Sequence, residues 1–302
     1  MGATAALLIA ASVALHVTWN AISKSVRPTP AFFLLASAIS AAALTPIVLW
    51  HHDIALPTLQ LVLPALVPTG IFAAFYNVAL ARAYQSGDLS LVYPLARSLG
   101  PVGIALASVA IGRGEMISAG CGAGIALIAL GSVILPLRRF DELRPARYRS
   151  PAFLWAVLTA TATVGYTLLD DQALRWIRAE SSLNLDTMSQ SLLYAAMQAW
   201  ATTLSLCAYV VFVPRERHGI ALALRQSGRQ ALAVGIFGYA SYILVLASMA
   251  FVDDVTYVAA FRQLGVPLAL FVGLAILRVP LSAPKLVGGA LCSVGLLLIA
   301  IG

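Results

Sequence analysis

Gly87-Asp88-Leu89-Ser90-Leu91-Val92, followed by Ala96-Arg97-Ser98-Leu99-Gly100-Pro101, returns later as Asp253-Asp254-Val255-Thr256-Tyr257-Val258 and Phe261-Arg262-Gln263-Leu264-Gly265-Val266-Pro267. Arg262 follows Arg97 by 165 positions and Asp254 follows Asp88 by 166, so one-residue slips separate the copies. The match extends outward. Tyr76 corresponds to Tyr242, Ala110-Ile111-Gly112-Arg113 to Ala275-Ile276-Leu277-Arg278, and Gly124 to Gly289. Each copy sits in apolar sequence long enough to cross a bilayer, which takes roughly 20 residues of helix.

Applied to the whole chain, that length predicts ten spans near 3–23, 31–50, 59–83, 88–110, 116–136, 151–171, 187–213, 229–251, 255–277 and 284–301. Backbone groups in lipid must be satisfied internally, and continuous apolar runs without two-residue alternation select helices over a barrel. Five crossings is an odd number, so two successive five-span units have opposite topology, the construction of many secondary transporters. The expected fold is an all-α membrane protein of ten transmembrane helices in two inverted five-helix repeats. Residues 1–140 and 151–302 form the halves of one membrane domain, joined by a basic connection over 141–150. The first span lacks a basic start and carries His16, Trp19 and Asn20, so it reads as a span and not as a cleaved signal peptide.

Composition agrees. Of 302 residues, 61% are hydrophobic and 10% charged, against roughly 25% charged in soluble proteins. That excludes an ordinary cytosolic enzyme and a disordered chain. Cys121, Cys207 and Cys292 lie far apart, with no disulfide framework, no CxxC knuckle and no HExxH, so no metal or cofactor is expected. The net charge of +7 marks a membrane face and not a nucleic-acid partner. Lys and Arg collect in the connections after spans 1, 3, 5, 7 and 9, most densely as Arg138, Arg139, Arg144, Arg147 and Arg149. The positive-inside rule places those connections in the cytoplasm and both termini outside.

Polar residues inside the spans mark the candidate site. Arg97 lies nine residues beyond Asp88, about 13 Å along a helix and so near mid-bilayer. Arg262, with Gln263 beside it, repeats the arrangement. Intramembrane arginines usually face a cavity or pathway, and a planar guanidinium suits a carboxylate or phosphate. The alternative is that each arginine locks helices through carbonyls or a nearby acid. His16, Asn20 and Ser23 share one face of span 1. Trp19 either stacks on a substrate or packs, and His16 either carries a proton or clamps helices. Tyr166-Thr167-Leu168-Leu169-Asp170-Asp171 is the span 6 counterpart of Trp19 to Lys24. Asp170 is the plausible protonating carboxylate, or else a solvated rim acid. Tyr76, Asn77 and Tyr242 add polar tips, Pro94, Pro101 and Pro267 free carbonyls at hinges, and Gly120-x-x-x-Gly124 permits close helix approach.

The whole chain resembles the EamA-type ten-helix transporters of the drug/metabolite transporter superfamily. The duplication carries the resemblance, together with His16-x-x-Trp19-Asn20, Tyr93-Pro94-x-x-Arg97, Tyr166-Thr167-x-x-Asp170 and Phe261-Arg262-Gln263. It implies a bacterial inner-membrane carrier, an exporter of amino acids or related metabolites working by alternating access, with spans 5 and 10 peripheral and available for homodimer contacts. Gln263 stands where members often have Glu, Pro280 where an acid is common, and His51-His52-Asp53 where a basic connection is common. The expected ligand is a small anionic or zwitterionic metabolite held by Arg97, Arg262 and Gln263. Trp19, Asn20, Tyr76, Tyr166 and Tyr242 line the cavity, and proton coupling is assigned to His16 or Asp170. Multidrug efflux of cations, for which span 1 lacks an acid, and flipping of a phosphorylated lipid are the alternatives. No P-loop points to ATP drive.

Overall fold

A computed structural model describes residues 2–26, 28–86, 89–135, 137, 139–143, 150–265 and 282–301, with backbone alone for 89–98. Among these residues the chain is helical and has no strand. The helices are α1 (Ala3–Ser25), α2 (Pro30–Trp50), α3 (His52–Gln85), α4 (Leu89–Ala110), α5 (Ala119–Ile134), α6 (Pro151–Ala179), α7 (Thr187–Phe212), α8 (Pro214–Ser248), α9 (Val255–Phe261) and α10 (Ala283–Ile301).

Their starts follow from local chemistry. The hydroxyls of Thr29, Ser118 and Ser150 accept hydrogen bonds from the backbone N–H of Phe32, Cys121 and Phe153, opening α2, α5 and α6. Pro30 and Pro151 occupy the first helical position, where no N–H is needed. Asp186 caps α7 through the N–H groups of Met188 and Ser189. Its carboxyl is held below the usual range, first by the Ser189 hydroxyl at 2.5 Å. The charged cap is therefore in place at neutral pH and is lost as pH falls through that lowered value.

Three boundaries differ from the expected ones. α3 begins at His52 and not near 59, carrying Pro57, Pro64 and Pro68 within it; a proline removes one backbone bond, and packed neighbours can satisfy the freed carbonyl. α6 continues past 171 to Ala179 because Asp171 and Arg175, one turn apart, pair with each other. The stretch expected as a connection over 213–228 is helix. α8 starts at Pro214, directly after α7, and bends at Ser227 (φ −136°, ψ 19°). Most of the expected span 9, including Pro267, lies outside the described residues.

Among the described residues, seven helices are long and apolar enough to cross a membrane: α1, α2, α3, α6, α7, α8 and α10. In α4 and α5 the described apolar stretches are shorter, Leu99–Ala110 and Ala119–Ile134. Large apolar side chains also face outward, among them Leu63, Ile71, Leu130, Leu204 and Leu297. Helices apolar on every face belong in a large core or in lipid, which is compatible with a multi-pass membrane protein.

The most extensive pairings are α3 with α6, α5 with α10, α1 and α2 with α8, α2 and α3 with α7, and α4 with α6. Ile9, Val62, Ile104, Leu174, Leu193 and Leu246 bring six helices into one apolar cluster. α5 and α10 meet differently. A Cβ on Gly131 would lie 2.6 Å from the Gly288 carbonyl oxygen, and one on Gly295 would lie 2.6 Å from that of Gly124. The close approach therefore uses glycines seven residues apart, Gly124 and Gly131, and it lies within one chain. Overpacking a tight contact costs about 1–3 kcal/mol. Gly131→Leu and Gly288→Leu are accordingly expected to lower the melting temperature in detergent. Gly122→Leu, at a position with nothing within 4 Å, is expected to leave it unchanged.

Candidate functional site

Several polar side chains on α1, α3, α6 and α8 turn inward, away from the apolar outer surface, and pair. On α1, the Trp19 Nε1–H donates to His16 Nδ1 at 3.3 Å, with the rings edge to face. The Asn20 amide donates to the His16 carbonyl, and the Tyr84 hydroxyl of α3 donates to Asn20 Oδ1 at 2.8 Å. Ser12 of α1 and Ser241 of α8 exchange bonds, each hydroxyl reaching the other's carbonyl at 2.8 and 2.9 Å.

These groups surround two adjoining cavities of about 120 Å³ and 70 Å³. His16, Tyr76, Tyr166 and Arg262 lie on the walls of both. The larger chamber adds Trp19, Asn77, Gln198, Thr202, Tyr239 and Tyr242; the smaller adds Asn20, Tyr84, Thr163 and Gln263. Volumes of this size hold several waters or a ligand of few atoms. The Tyr166 ring packs edge to face against Tyr76 at 5.7 Å and Tyr242 at 5.9 Å. Its hydroxyl lies beside the Arg262 guanidinium. A cation framed by phenol rings and amides in a small, mostly apolar chamber can hold a carboxylate or phosphate through charge-assisted hydrogen bonds.

The residues expected from sequence separate accordingly. His16, Trp19, Asn20, Tyr76, Asn77, Tyr166, Tyr242, Arg262 and Gln263 meet on the chamber walls. Arg97 belongs to α4, but its side chain, like those of Tyr93 and Pro94, lies outside the described residues. Asp170 is not a solvated rim acid. It is fully buried behind the larger chamber, where its Oδ1 accepts from Tyr194 at 2.6 Å and its Oδ2 from Tyr242. Gln198 and Tyr239 are functional candidates the sequence reading passed over. The Tyr239 hydroxyl donates to Gln198 Oε1 at 3.0 Å, and an amide in the middle of an apolar span was the available signal.

Two ion-pair groups join helices around the chambers. Asp171, fully buried, accepts from Arg113 at 2.7 Å and Arg175 at 2.8 Å. Arg113 also donates to Gln172, and Arg175 to the Asp253 carbonyl. Elsewhere Arg82 of α3 pairs with the buried Glu216 of α8 at 2.9 Å.

No family model matches the sequence. No curated protein matches it either. Solved structures do: one crystal structure aligns with a TM-score of 0.66 at 18% identity, covering 100% of this chain and 99% of the other. That likeness concerns the fold.

Removing one partner of a buried ion pair costs on the order of 3–5 kcal/mol, and the lower end applies because Arg175 remains a third exposed to solvent. Asp171→Ala is expected to lower the melting temperature of the purified protein by several degrees. Asp53→Ala, whose only ion pair among the described residues is an exposed one with His52, is expected to have no measurable effect.

Proposed function

We propose that the chain is a secondary carrier and not an enzyme, with ten spans in two inverted five-helix halves (1–140 and 151–302, joined over 141–150). It moves a small anionic or zwitterionic metabolite across a bacterial inner membrane by alternating access. The sequence repetition supports the duplication, and so do the helix pairings. Exchanging each helix for the one five places along turns α3–α6 into α8–α1, α3–α7 into α8–α2 and α4–α6 into α9–α1. It returns α2–α7 and α5–α10 to themselves, and all of these pairs are in contact. In this arrangement the Arg113–Asp171–Arg175 group and the Arg82–Glu216 pair each bridge the two halves, at opposite faces of the membrane. They are the contacts that would break and re-form as the chamber opens to either side. The cytoplasmic connections are the basic, odd-numbered ones, and the termini lie outside.

The observation that carries the ligand class is Arg262, shared by both chambers and bordered by Tyr166. An intramembrane guanidinium on a cavity wall is costly unless it has work there, and a carboxylate or phosphate is its natural complement. A dimer through α5 and α10 would use their outward faces, Leu130 on one and Val294 and Leu297 on the other, because their glycine faces are already in mutual contact.

The test is a thermal-stabilisation screen of purified protein against amino acids, organic acids and phosphonates, since a ligand bound only to the native state raises the melting temperature. At least one anionic or zwitterionic compound is expected to stabilise the wild type. Arg262→Ala should weaken that binding at least tenfold, about 1.4 kcal/mol, with Arg262→Lys retaining part of it. Equal stabilisation of wild type and Arg262→Ala by the same compound would overturn the anion reading.

A further inference from the structure

Two consecutive acids on α6 are treated in opposite ways. Asp170 and Asp171 are both fully buried. Asp171 is met by the cations of Arg113 and Arg175. Asp170 is met by neutral hydroxyls: Tyr194 of α7 on one oxygen and Tyr242 of α8 on the other. A third hydroxyl, Thr69 of α3, is buried beside the same carboxylate and beside Tyr194.

The difference decides which acid can take up a proton. Arginine donates hydrogen bonds and accepts none, whereas a phenol does both. Protonating Asp171 would strip two partly buried guanidinium groups of their counter-charge. Protonating Asp170 asks only for hydroxyl rotation. The new carboxyl O–H donates to the Tyr194 oxygen, the Tyr194 O–H turns to the adjacent Thr69 oxygen, and Tyr242 continues to donate. The ionised form keeps two donors, and the acid form removes an uncompensated charge from the bundle interior. Only an O–H bond forms or breaks, and the proton is exchanged with water.

The neighbouring titratable groups leave Asp170 to this role. On α6 itself lie Tyr166 on the chamber side, and Asp171 with Arg175. The α4–α5 connection presents Arg113, engaged by Asp171 and Gln172. α7 contributes Tyr194. α8 contributes Tyr239, bonded to Gln198, and Tyr242. α3 contributes Tyr76 against Tyr166, and the turn after α9 brings Arg262 to Tyr166 and not to the carboxylate. His16, the other residue expected to carry a proton, accepts from the Trp19 indole of its own helix.

Asp170 is buried, yet it is one hydrogen bond from the chamber. The ring of Tyr242 lines the cavity and packs on Tyr166 while its hydroxyl holds Asp170. Whatever fills the chamber presses on the ring that supplies half of the carboxylate's hydrogen bonding. We infer that Asp170 is a reversible proton-binding site whose protonation is coupled, through Tyr242, to occupancy of the chamber. For transport, the consequence is proton coupling, and that consequence rests on the carrier reading above.

The experiment uses protein alone, so the two readings fail separately: an unsuccessful ligand screen bears on the carrier, and a silent carboxyl bears on Asp170. Infrared difference spectra of purified protein across a pH series are expected to contain a carboxylic-acid C=O band that appears and disappears reversibly. The band should be lost in Asp170→Asn and retained at altered frequency in Asp170→Glu, which guards against misfolding as the cause of the loss. Tyr242→Phe should move its midpoint by one pH unit or more, and Tyr209→Phe, remote from the site, should not. Ser37 lines the larger chamber. In a Cys207→Ser background, Ser37→Cys modified with an anionic methanethiosulfonate reagent mimics occupancy and should also displace the midpoint. A titrating band unaffected by Asp170→Asn, or none at all, overturns the proton site. A band lost with Asp170 but indifferent to both Tyr242→Phe and the Ser37 adduct overturns the coupling.

Discussion

Where helices are apolar on every side, the few polar side chains decide which faces meet. On α1 that constraint acts four times within nine residues: Ser12 finds Ser241, His16 finds Trp19, and Asn20 finds both the His16 carbonyl and Tyr84. Each of these groups would be costly in hydrocarbon. Together they fix α1 against α3 and α8 and leave His16 and Trp19 on a cavity wall. Apolar packing alone would not select one rotation of α1, because its outward and inward faces are similarly greasy. The chamber is therefore a by-product of polar satisfaction: it forms where the inward stripes of α1, α3, α6 and α8 converge.

α6 carries the largest electrostatic burden. Two adjacent buried carboxylates on successive positions point about 100° apart around the helix axis, so they face different neighbours. Asp171 turns to the connection after α4 and pairs with cations; Asp170 turns to α7 and α8 and pairs with phenols. One helix thus anchors a charged cross-link on one side and a neutral hydrogen-bond network on the other. The first holds elements together. The second lies against the chamber, and on the proposed protonation one of its bonds reverses direction while the other stays.

The apolar runs and the chemistry of the helix starts were legible because both depend on local sequence. Thr29-Pro30 and Ser150-Pro151 announce their helices. The extensions of α3 and α8 were not legible. Pro57 reads as a breaker and Pro214 as a connection, yet each is tolerated where neighbouring helices cover the backbone, and coverage is a tertiary property. Within the site, Trp19, Tyr76, Tyr166 and Arg262 stood out as polar or aromatic interruptions of the duplicated pattern. Tyr239 falls opposite Ala73 at the offset that pairs Tyr242 with Tyr76, and Gln198 was tied to no position of the other half, so the repetition singled out neither. The environment of Asp170 was beyond reach for the same reason: position near the end of an apolar run suggested a rim, while α6 continues two further turns and buries it.

The proposed duplication also explains why this chemistry occurs once. The sequence counterpart of Tyr166-Thr167-Leu168-Leu169-Asp170-Asp171 is Trp19-Asn20-Ala21-Ile22-Ser23-Lys24. Where α6 has Asp170, α1 has Ser23, buried with an unpartnered hydroxyl; where α6 has Asp171, α1 has Lys24. A frame built by repetition offers two equivalent positions for an ionisable group, and two acids facing one small chamber would repel each other when both are charged. Keeping the carboxylate in one half and a serine in the other avoids that conflict. Among the described residues it leaves the one proposed proton site near Arg262, so the proposed symmetry of the helices need not extend to the chemistry inside them.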